Sequence, residues 1–533
     1  MKLYKSLKQT LTFSLLVITA TVATGQVTQP VRYEREQKNS DDYFHIIPLG
    51  SDGMALFRER DKFKQSNRLW ELIFLDADLK EKITLDLEIK ERHKMVGYEV
   101  SAQNLYFLFR TGETNKNDFV LIDITLDGVE RGRYPVKPDL DFRLTHFIKA
   151  GRNFVFGGYV SNEAVIILFD PSANSLKVVP GFFQKDTELV DLRANENGTF
   201  NTILMDRSNR GEKKILFRTF DDTGKQLLED NTVVDENITL QTAITSTLRR
   251  EDLIIAGTWG DRNAKQSSGF FTLPINPFAD QKIHYVEFGK LDNFLNYLNQ
   301  KRAAKIKKQT KEAASVGRKP SFSAHVMPFK IVEDEKGFYI LAEVYQPSGS
   351  SSSMYSNNPY YYNPFYSPYG YHPFYNGFYY PGMRRMYRPY MYGPSSRNSN
   401  DIKSLETVVV HIDEKGSVKW DQSIKLDEVR LPGLEQVGDF VVIDNIVYLI
   451  YKKESELKIK SIALGGGEVS DETQKVRTLE ENDVIRSEKE TEGGVRHWYR
   501  NSFYVWGYQT IRNTTRKERV RDVFYINRID PSI

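Results

Sequence analysis

The sequence NLYFLFRTGETNKNDFVLIDITLDGVERGRYPV, residues 104–136, combines two apolar runs, a polar loop, a tight turn and a short alternating tail. The apolar runs are Leu105–Phe109 and Phe119–Ile124, and their length and content favour buried strands. Asp127-Gly128 is a dipeptide typical of a hairpin turn. With Met95–Val100 as an opening strand, the stretch predicts one small antiparallel sheet of four strands.

The same order recurs eight times along the chain. Two segments interrupt it, Gly289–Ala324 and Gln346–Ser404. Without them each unit is about 50 residues long, near the length of a propeller repeat. The apolar second strands of the eight units are Met54–Phe57, Leu105–Phe109, Phe154–Phe156, Phe200–Met205, Leu253–Ala256, Phe338–Val344, Val447–Tyr451 and Phe503–Tyr508.

The strands of a unit differ in how apolar they are. Val165–Phe169 is apolar at every position, so both faces of this strand need cover. In the fourth strand of the first unit, Ile83, Leu85 and Leu87 alternate with polar residues, which is typical of an exposed outer edge. Small sheets stacked face to face around an axis provide both environments.

The chain therefore resembles β-propeller repeat proteins, and the resemblance covers nearly all of it after residue 25. It implies an all-β fold: a single β-propeller of eight four-stranded blades. Seven blades are the alternative, with a strand or a domain joint within Gly289–Ala324. The Trp-Asp dipeptides of WD40 repeats are absent from the expected turn positions, the paired glycines of kelch repeats do not recur, and no sialidase-type Asp box is found. A shared fold does not by itself imply a shared activity. The last unit lacks a fourth strand, and we expect a strand at Val31 and Tyr33 to complete it and close the ring.

The first 25 residues predict export. Lys2, Lys5 and Lys8 precede an apolar stretch over residues 11–22, and small residues then lead to a cleavage site after Gly25. The alternative is an uncleaved anchor, but the stretch is shorter than the roughly 20 residues that a span needs. No later segment is apolar enough for a membrane helix. We expect a periplasmic or secreted bacterial protein.

Composition excludes several kinds of site. There is no cysteine, so disulfides, thiolate metal sites and cysteine nucleophiles are excluded. The net charge of +3 gives no reason to expect nucleic acid. No phosphate-binding loop, serine-hydrolase elbow or zinc-protease motif is present. The eight histidines are scattered, and we predict hydrogen-bonded structural roles for His45, His284 and His411. No cofactor or metal site is predicted.

Two other features have a structural and a functional interpretation. Asp76-Ala77-Asp78 and Asp221–Gly224 resemble calcium loops but lack the alternating oxygen ligands, so they are predicted to be hairpin turns. Trp259 and Trp506 lie in or just after second strands beside glycine, and blade packing is favoured over a carbohydrate platform.

The segment Gly289–Ala324 is predicted to be a helical, basic insertion. Leu291, Phe294, Leu295 and Leu298 have the spacing of one apolar helical stripe. One interpretation is a docked helix whose basic C-terminal half, including Lys305 and Lys308, suits the helix dipole. The other is a basic arm that makes a peripheral contact with an anionic surface, such as phospholipid or acidic glycan.

The segment Gln346–Ser404 is a low-complexity insertion rich in tyrosine and proline. Proline at this frequency excludes a helix or a central strand, and tyrosine suits contact surfaces. The alternatives are a loop without a specific partner, a segment that binds protein or glycan, and, least favoured in an exported protein, stacking on single-stranded nucleic acid. Its candidate binding residues are Tyr360, Tyr361, Tyr362, Tyr366, Tyr379, Tyr380, Arg384 and Arg385.

Connectivity predicts that both insertions leave from the same face of the ring, because loops between second and third strands lie at the same end as links between blades. The favoured hypothesis is an exported, non-enzymatic module that binds a cell-envelope protein or glycan through this face. The alternatives are a hydrolytic enzyme, active on polysaccharide or another substrate, with its site at the central channel, and a passive element that self-associates through the insertions.

Overall fold

The computed structural model describes residues 27–38, 41–111, 118–183, 185–208, 212–246, 253–262, 264, 266–276, 281–317, 322–347, 402–431, 434–464 and 467–531. The predicted signal peptide, residues 1–25, lies outside these ranges. In the part of the chain that is described, no helix has the length and apolar character needed to cross a membrane.

The described residues form eight antiparallel sheets, which are the blades of a β-propeller. The first strands of blades 2 to 6 contact one another in turn, and so do the inner strands of blades 7 and 8, so these strands lie toward the axis. Two N-terminal strands, β1 (Val27–Thr28) and β2 (Arg32–Glu36), precede the first blade. Blade 1 contains β3 (His45–Pro48), β4 (Met54–Lys64), β5 (Asn67–Leu75) and β6 (Glu81–Lys90). Blade 2 contains β7 (His93–Val100), β8 (Asn104–Thr111), β9 (Phe119–Thr125) and β10 (Glu130–Val136).

The next three blades follow in chain order. Blade 3 contains β11 (Phe142–Ala150), β12 (Asn153–Val160), β13 (Glu163–Asp170) and β14 (Ser175–Val178). Blade 4 contains β15 (Thr187–Ala194), β16 (Phe200–Asp206), β17 (Lys214–Phe220) and β18 (Gln226–Val233). Blade 5 contains β19 (Ile238–Thr245), β20 (Leu253–Asp261), β21 (Gly269–Ile275) and β22 (His284–Glu287).

A helix, α1 (Gln300–Ser315), lies between blades 5 and 6. Blade 6 contains β23 (His325–Asp334), β24 (Gly337–Pro347), β25 (Ile402–Ile412) and β26 (Val418–Leu431). Blade 7 contains β27 (Asp439–Ile443), β28 (Ile446–Lys453), β29 (Glu456–Ala463) and β30 (Glu468–Lys475). Blade 8 contains β31 (Val484–Glu488), β32 (Gly494–His497), β33 (Phe503–Arg512) and β34 (Val520–Pro531). The prediction of an eight-bladed propeller is confirmed.

The N-terminal strands close the ring, as the sequence predicted. Both β1 and β2 pair with β34 and thereby supply the outer strand of blade 8. The inner strand of this blade is interrupted, since β31 and β32 pair with successive parts of β33. The outer edge of the last sheet is thus covered by the chain itself.

Strand burial follows the predicted pattern. Residues Ala164–Phe169 of β13 are all buried, whereas Thr84 and Asp86 of β6 are exposed and Leu87 is buried. The first strands of blades 2–6 each carry a register shift at a similar position, which bends a strand and increases its twist. Trp259 and Trp506 are each only 5% exposed, so their predicted packing role is confirmed.

The acidic segments form hairpin turns, as predicted. Oδ1 of Asp221 accepts hydrogen bonds from the backbone N–H groups of Thr223 and Lys225, both at 2.9 Å. Asp76 and Asp413 cap their own turns in the same way. The fourth residue of such a turn has positive φ, which is +79° at Gly224. These carboxylates therefore accept hydrogen bonds from the backbone of their own turns.

Candidate functional site

The two insertions leave the ring at the same end of blades 5 and 6, as predicted. The second insertion connects Pro347 and Ile402, which are opposite each other in the ladder of β24 and β25. The first insertion ends at Ala324, which forms a bridge with Ser267 in the loop between the second and third strands of blade 5. Because Gln346, Pro347 and Ile402 to Ser404 belong to the strands, the second insertion is 348–401.

The apolar half of the first insertion is not helical, which corrects the prediction. Residues 291–298 form bends and turns, and α1 begins only at Gln300. Leu291, Phe294 and Leu295 are nonetheless buried in an apolar cluster shared by blades 5 and 6. The ring of Phe294 stacks on Phe288 with a centroid distance of 4.1 Å. The apolar spacing therefore predicted correctly that these side chains are buried, but the prediction that they lie on a helix was wrong.

Asp421 on the outer strand of blade 6 holds this segment in place. Its two carboxylate oxygens accept hydrogen bonds from the backbone N–H groups of Asp292 and Asn293, each at 2.7 Å. The side-chain amide of Asn293 donates to the backbone oxygen of Asp421 at 2.7 Å. Residues 291–298 of the insertion thus pack against the outer strand of blade 6.

Helix α1 presents its basic residues to solvent. Asn299 caps its N-terminus by accepting the N–H of Arg302 at 2.9 Å. Only Ile306 and Thr310 are buried, and Gly289 lies so close to Thr310 that a Cβ there would be 2.0 Å from Oγ1. The exposed cations, which include the candidates Lys305 and Lys308, are Lys301, Arg302, Lys305, Lys308 and Lys311.

The position of α1 overturns the dipole explanation for its charge. Lys301 and Arg302 lie in the first turn, where the positive end of the helix dipole disfavours cations. The last turn holds no basic residue. Lys301 and Lys305 are also a like-charge pair at i, i+4, which is unfavourable. Helix stability therefore does not account for this arrangement of cations.

The candidate residues of the second insertion are Tyr360, Tyr361, Tyr362, Tyr366, Tyr379, Tyr380, Arg384 and Arg385, and all of them lie outside the described residues. The structure describes the two strand ends between which the insertion begins and ends. Lys403 and Arg430, on the adjoining strand ends, are opposite each other in the ladder of β25 and β26. The insertion with its arginines thus leaves the ring beside two cations.

A cleft of about 340 Å³ lies between the outer parts of blades 5 and 6. Residues of the docked insertion form one wall, among them Lys290 and Asp292. Trp420 and Lys419 of β26 contribute on one side, and His284 of β22 on the other. The indole of Trp420 itself packs on His411 and Tyr339 in the apolar cluster shared by blades 6 and 7, so its ring faces away from the cleft. Sequence reasoning missed this cleft, because its walls come from segments more than 100 residues apart.

Buried carboxylates join neighbouring blades. Asp191 accepts hydrogen bonds from the backbone N–H and the hydroxyl of Thr245 in the next blade, at 2.8 and 3.0 Å. Asp439 accepts the backbone N–H of His497 at 2.9 Å and forms a buried ion pair with Lys330. Burial opposes ionisation of Asp439, but the charge of Lys330 outweighs it and holds the pKa below its usual value. These acids therefore connect neighbouring blades through hydrogen bonds and an ion pair.

Glu343 connects blades 6 and 7 by hydrogen bonds in a similar way. Its Oε1 accepts the backbone N–H groups of Val437 and Gly438, at 2.7 and 2.9 Å, and the hydroxyl of Thr407 at 3.1 Å. Burial raises the pKa of Glu343 to about 7. On the opposite face of blade 6, Glu406 accepts the hydroxyl of Ser423 at 2.8 Å, and burial raises its pKa well above the usual value.

The inner strands do not assemble a histidine–carboxylate pair around Asp439. The contact of Asp439 is with the backbone of His497, while Nε2 of that histidine lies 2.6 Å from the backbone oxygen of Arg500. Across the described ranges, no group of three or more histidine, aspartate or glutamate residues is arranged to hold a metal ion. Asp191, Asp439 and Glu343 thus each bind a neighbouring blade, while Oδ1 of Asp191 and Oε2 of Glu343 have no hydrogen-bond partner among the described residues.

No protein-family model and no curated protein sequence matches the chain. Among solved structures, the β-propeller domain of the Trilobed protease from Pyrococcus furiosus matches with a TM-score of 0.34 and 11% identity. That match covers 82% of this chain and 93% of the propeller domain.

Two larger proteins also match. Prolyl oligopeptidase B from Galerina marginata has a TM-score of 0.38 and 9% identity, over 91% of this chain and 56% of its own. A Synechocystis apocarotenoid oxygenase mutant has a TM-score of 0.30 and 10% identity, over 46% of this chain and 62% of its own. The chain thus spans less than two thirds of both proteins, and the activities in these names belong to them.

Proposed function

We propose that this protein is an exported, non-enzymatic binding module of the cell envelope. Its working surface would be the part of blades 5 and 6 that carries α1 and the 348–401 insertion. The partner is a cell-envelope protein or glycan. Export is inferred from the N-terminal sequence: the basic start, the short apolar stretch and the small residues before Gln26.

The observation that carries the proposal is the charge pattern of α1. Two cations occupy its first turn, and basic residues follow at spacings that bring like charges together. Each of these choices weakens the helix by a few tenths of a kcal/mol. A pattern that costs stability and is exposed to solvent is explained by contact with an anionic or acceptor-rich partner.

The 348–401 insertion adds a second contact surface at the same end of the blade. It is rich in tyrosine, and tyrosine combines a flat apolar ring with a polar tip and few rotors to immobilise. At the blade seams, Asp191, Asp439 and Glu343 each accept hydrogen bonds from the backbone of a neighbouring blade, which supports a structural role for these acids.

The test replaces residues 348–401 with a short Gly-Asn-containing turn. Because Pro347 and Ile402 already face each other in the ladder, a tight turn can join them. Immobilised wild type and variant are incubated with solubilised envelope from the organism that makes the protein. Bound proteins are identified by mass spectrometry and bound glycans by sugar analysis.

We expect the variant to keep its melting temperature and to lose the captured material. A control with an equally long Gly/Ser linker in place of 348–401 separates the loss of the sequence from the loss of length. Equal capture by all three proteins contradicts the proposal. N-terminal sequencing of the secreted or periplasmic protein should begin at Gln26, and a mature chain that begins at Met1 contradicts export by cleavage.

A further inference from the structure

We propose that Glu406 is a protonation switch for the docked segment, residues 291–298 of the first insertion. While its side chain is protonated, the segment stays on blade 6, and ionisation of the side chain releases the segment. The switch does not depend on the identity of a partner. Its effect on binding rests on the proposed function, because the docked segment leads directly into α1.

The side chain of Glu406 is fully buried and is connected to the docked segment by one hydroxyl group. Oγ of Ser423 on β26 is 2.8 Å from Oε1 of Glu406 and 2.9 Å from the backbone oxygen of Asn293 in the segment. Oε2 of Glu406 has no hydrogen-bond partner among the described residues. A buried carboxylate with an unpartnered oxygen is costly, and a protonated carboxyl group is less so.

The number of protons in this contact favours a protonated Glu406. The hydroxyl of Ser423 has one proton, and two acceptors lie within hydrogen-bond distance of it. An ionised Glu406 competes with the backbone oxygen of Asn293 for that proton. A protonated carboxyl group instead donates to Oγ of Ser423, which then donates to Asn293. Nδ2 of Asn296 donates to the same Oγ at 3.1 Å, so every hydrogen bond of this hydroxyl is then formed.

The surroundings of Glu406 also favour its neutral form. Burial raises the pKa of Glu406 well above its usual value, and the carboxylate of Asp421 adds to this rise. Asp421 is two residues from Ser423 on the same face of β26, and its oxygens accept two backbone N–H groups of the docked segment. The hydroxyl of Ser423 and the ammonium groups of Lys460 and Lys425 oppose the rise in pKa, but burial outweighs them.

The docked segment and α1 contribute four further titratable groups around these two acids. Burial raises the pKa of Tyr297, whose phenol therefore stays neutral, and Arg302 lies near it. Asp292 adds negative charge beside Asp421, and Lys307 adds positive charge. The ammonium group of Lys307 donates to the backbone oxygen of Asp292 at 2.7 Å, so it also helps to hold the segment. Ionisation of Glu406 thus adds a second buried negative charge beside Asp421.

Docking should therefore weaken as pH rises. The docked state raises the pKa of Glu406, so above the ordinary pKa of a glutamate the released segment loses a proton that the docked segment keeps. Docking is fully favoured below that ordinary pKa. Above it, the equilibrium constant for docking falls about tenfold per pH unit until the pH passes the raised pKa. Burial also raises the pKa of Asp421, which acts in the same direction.

The test measures hydrogen exchange of the mature full chain from about pH 5 to about pH 8, with rates corrected for the intrinsic effect of pH on amide exchange. We expect the corrected rate of residues 291–298 to rise at least tenfold over this range. Residues Ala164–Phe169 of β13 report unfolding of the whole ring in the same samples and should not follow the segment. No rise in the corrected rate of the segment in wild type overturns the proposal.

Glu406→Gln places an amide that donates to Ser423 where the protonated carboxyl group does, and it cannot ionise. This variant should keep exchange of the docked segment slow at every pH. Glu343→Gln makes the same change at the buried acid on the opposite face of blade 6, and it should keep the pH dependence of wild type. A pH dependence that persists in Glu406→Gln, or that is lost equally in Glu343→Gln, belongs to another group and overturns the proposal.

Ser423→Ala tests the connection without changing a charge. Because it removes the hydroxyl between Glu406 and Asn293, exchange of the docked segment should accelerate about fivefold already at about pH 5, from the loss of one hydrogen bond. Unchanged exchange in this variant shows that the hydroxyl does not hold the segment, and it overturns the proposal.

Capture of envelope material separates this inference from the proposed function. Wild type should capture less at the higher pH, because the released segment no longer fixes the position of α1, while Glu406→Gln should capture equally at both. If exchange shows the switch but no material is captured at either pH, the switch stands and the proposed function is wrong. If material is captured and exchange of the segment does not change with pH, the switch is wrong and the binding module stands.

Discussion

Tyr33 lies opposite Ile526 in the antiparallel pair of β2 and β34, and its hydroxyl donates a hydrogen bond of 2.7 Å to Oε1 of Glu81 in blade 1. One side chain from the start of the described chain thus contacts both the last blade and the first. The ring is closed by this strand, and its stability should depend on it.

Tyr33→Ala should destabilise the protein by about 3–5 kcal/mol, because Tyr33 is only 7% exposed and its removal leaves a cavity at the closure. Tyr33→Phe removes only the hydrogen bond to Glu81 and should cost about 1 kcal/mol. Urea unfolding of the two variants measures both values. Equal effects of the two substitutions would show that packing of the ring contributes little.

Gly224→Ala should destabilise blade 4 by about 2–4 kcal/mol. Its φ of +79° is unfavourable for alanine, and the added Cβ would lie 2.6 Å from Cδ1 of Leu168 in the neighbouring blade. Gly317 also has positive φ, at +63°, but nothing lies within 4 Å of its Cβ position. Gly317→Ala is thus the matched control and should cost about 1 kcal/mol. Calorimetric melting of both variants tests the difference.

Glu343 should make stability depend on pH. Its pKa is raised from 4.5 to about 7 in the folded protein, so between these values the unfolded chain loses a proton that the folded protein keeps. Stability should therefore fall as pH rises from about 4.5 to about 7, by roughly 3 kcal/mol for this group, and stay level above.

Glu343→Gln keeps an acceptor for the N–H groups of Val437 and Gly438 and has no charge to lose. The stability of wild type relative to this variant should fall between pH 4.5 and 7, as measured by the midpoint of urea unfolding. Glu91→Gln, at an exposed position, is the control and should follow wild type. A pH-independent difference between wild type and Glu343→Gln would show that Glu343 does not ionise in this range.

Lys301→Glu should separate stability from binding. An acid in the first turn of α1 is favoured by the dipole and can pair with Lys305 at i, i+4, so the helix should gain about 0.5–1 kcal/mol. Capture of the envelope partner should weaken. Lys82→Glu on the outer strand of blade 1 makes the same charge change away from the helix and should leave capture unchanged. A variant of α1 that becomes more stable and still binds fully would contradict a role for its cations.

Asp421→Ala should release the docked segment of the first insertion. The two backbone N–H groups that it holds belong to Asp292 and Asn293, and the variant leaves both without this acceptor. Hydrogen exchange at residues 288–299 should accelerate by at least tenfold, from about 1.4 kcal/mol of lost local stability. Asp413→Ala, which removes a turn carboxylate of the same blade, should leave exchange in this segment unchanged.

Much of the fold could be predicted because the signals are local. Residues close together in sequence produce the apolar run of β13, the alternation in β6 and the turn at Asp221. The period of the apolar residues identifies the strands, and the residue types of the turn identify the hairpin. The candidate site was predicted less well. Its position at blades 5 and 6 followed from connectivity, while the cleft between these blades gave no local signal.

The sequence by itself determined the propeller architecture, the strand order of a blade and which strand lies at the outer edge, because these follow from the hydrophobic period and the turns within each unit. The choice of eight blades over seven came from the tertiary structure. Only the tertiary structure decided where α1 begins and what its charges face. Leu291, Phe294 and Leu295 have helical spacing, yet Asp421, 129 residues from Asp292, fixes their backbone as a docked turn. A contact between residues so distant in the chain outweighs a local periodicity of apolar residues, because Asp421 accepts two backbone N–H groups that the first turn of a helix would leave without an intrahelical partner.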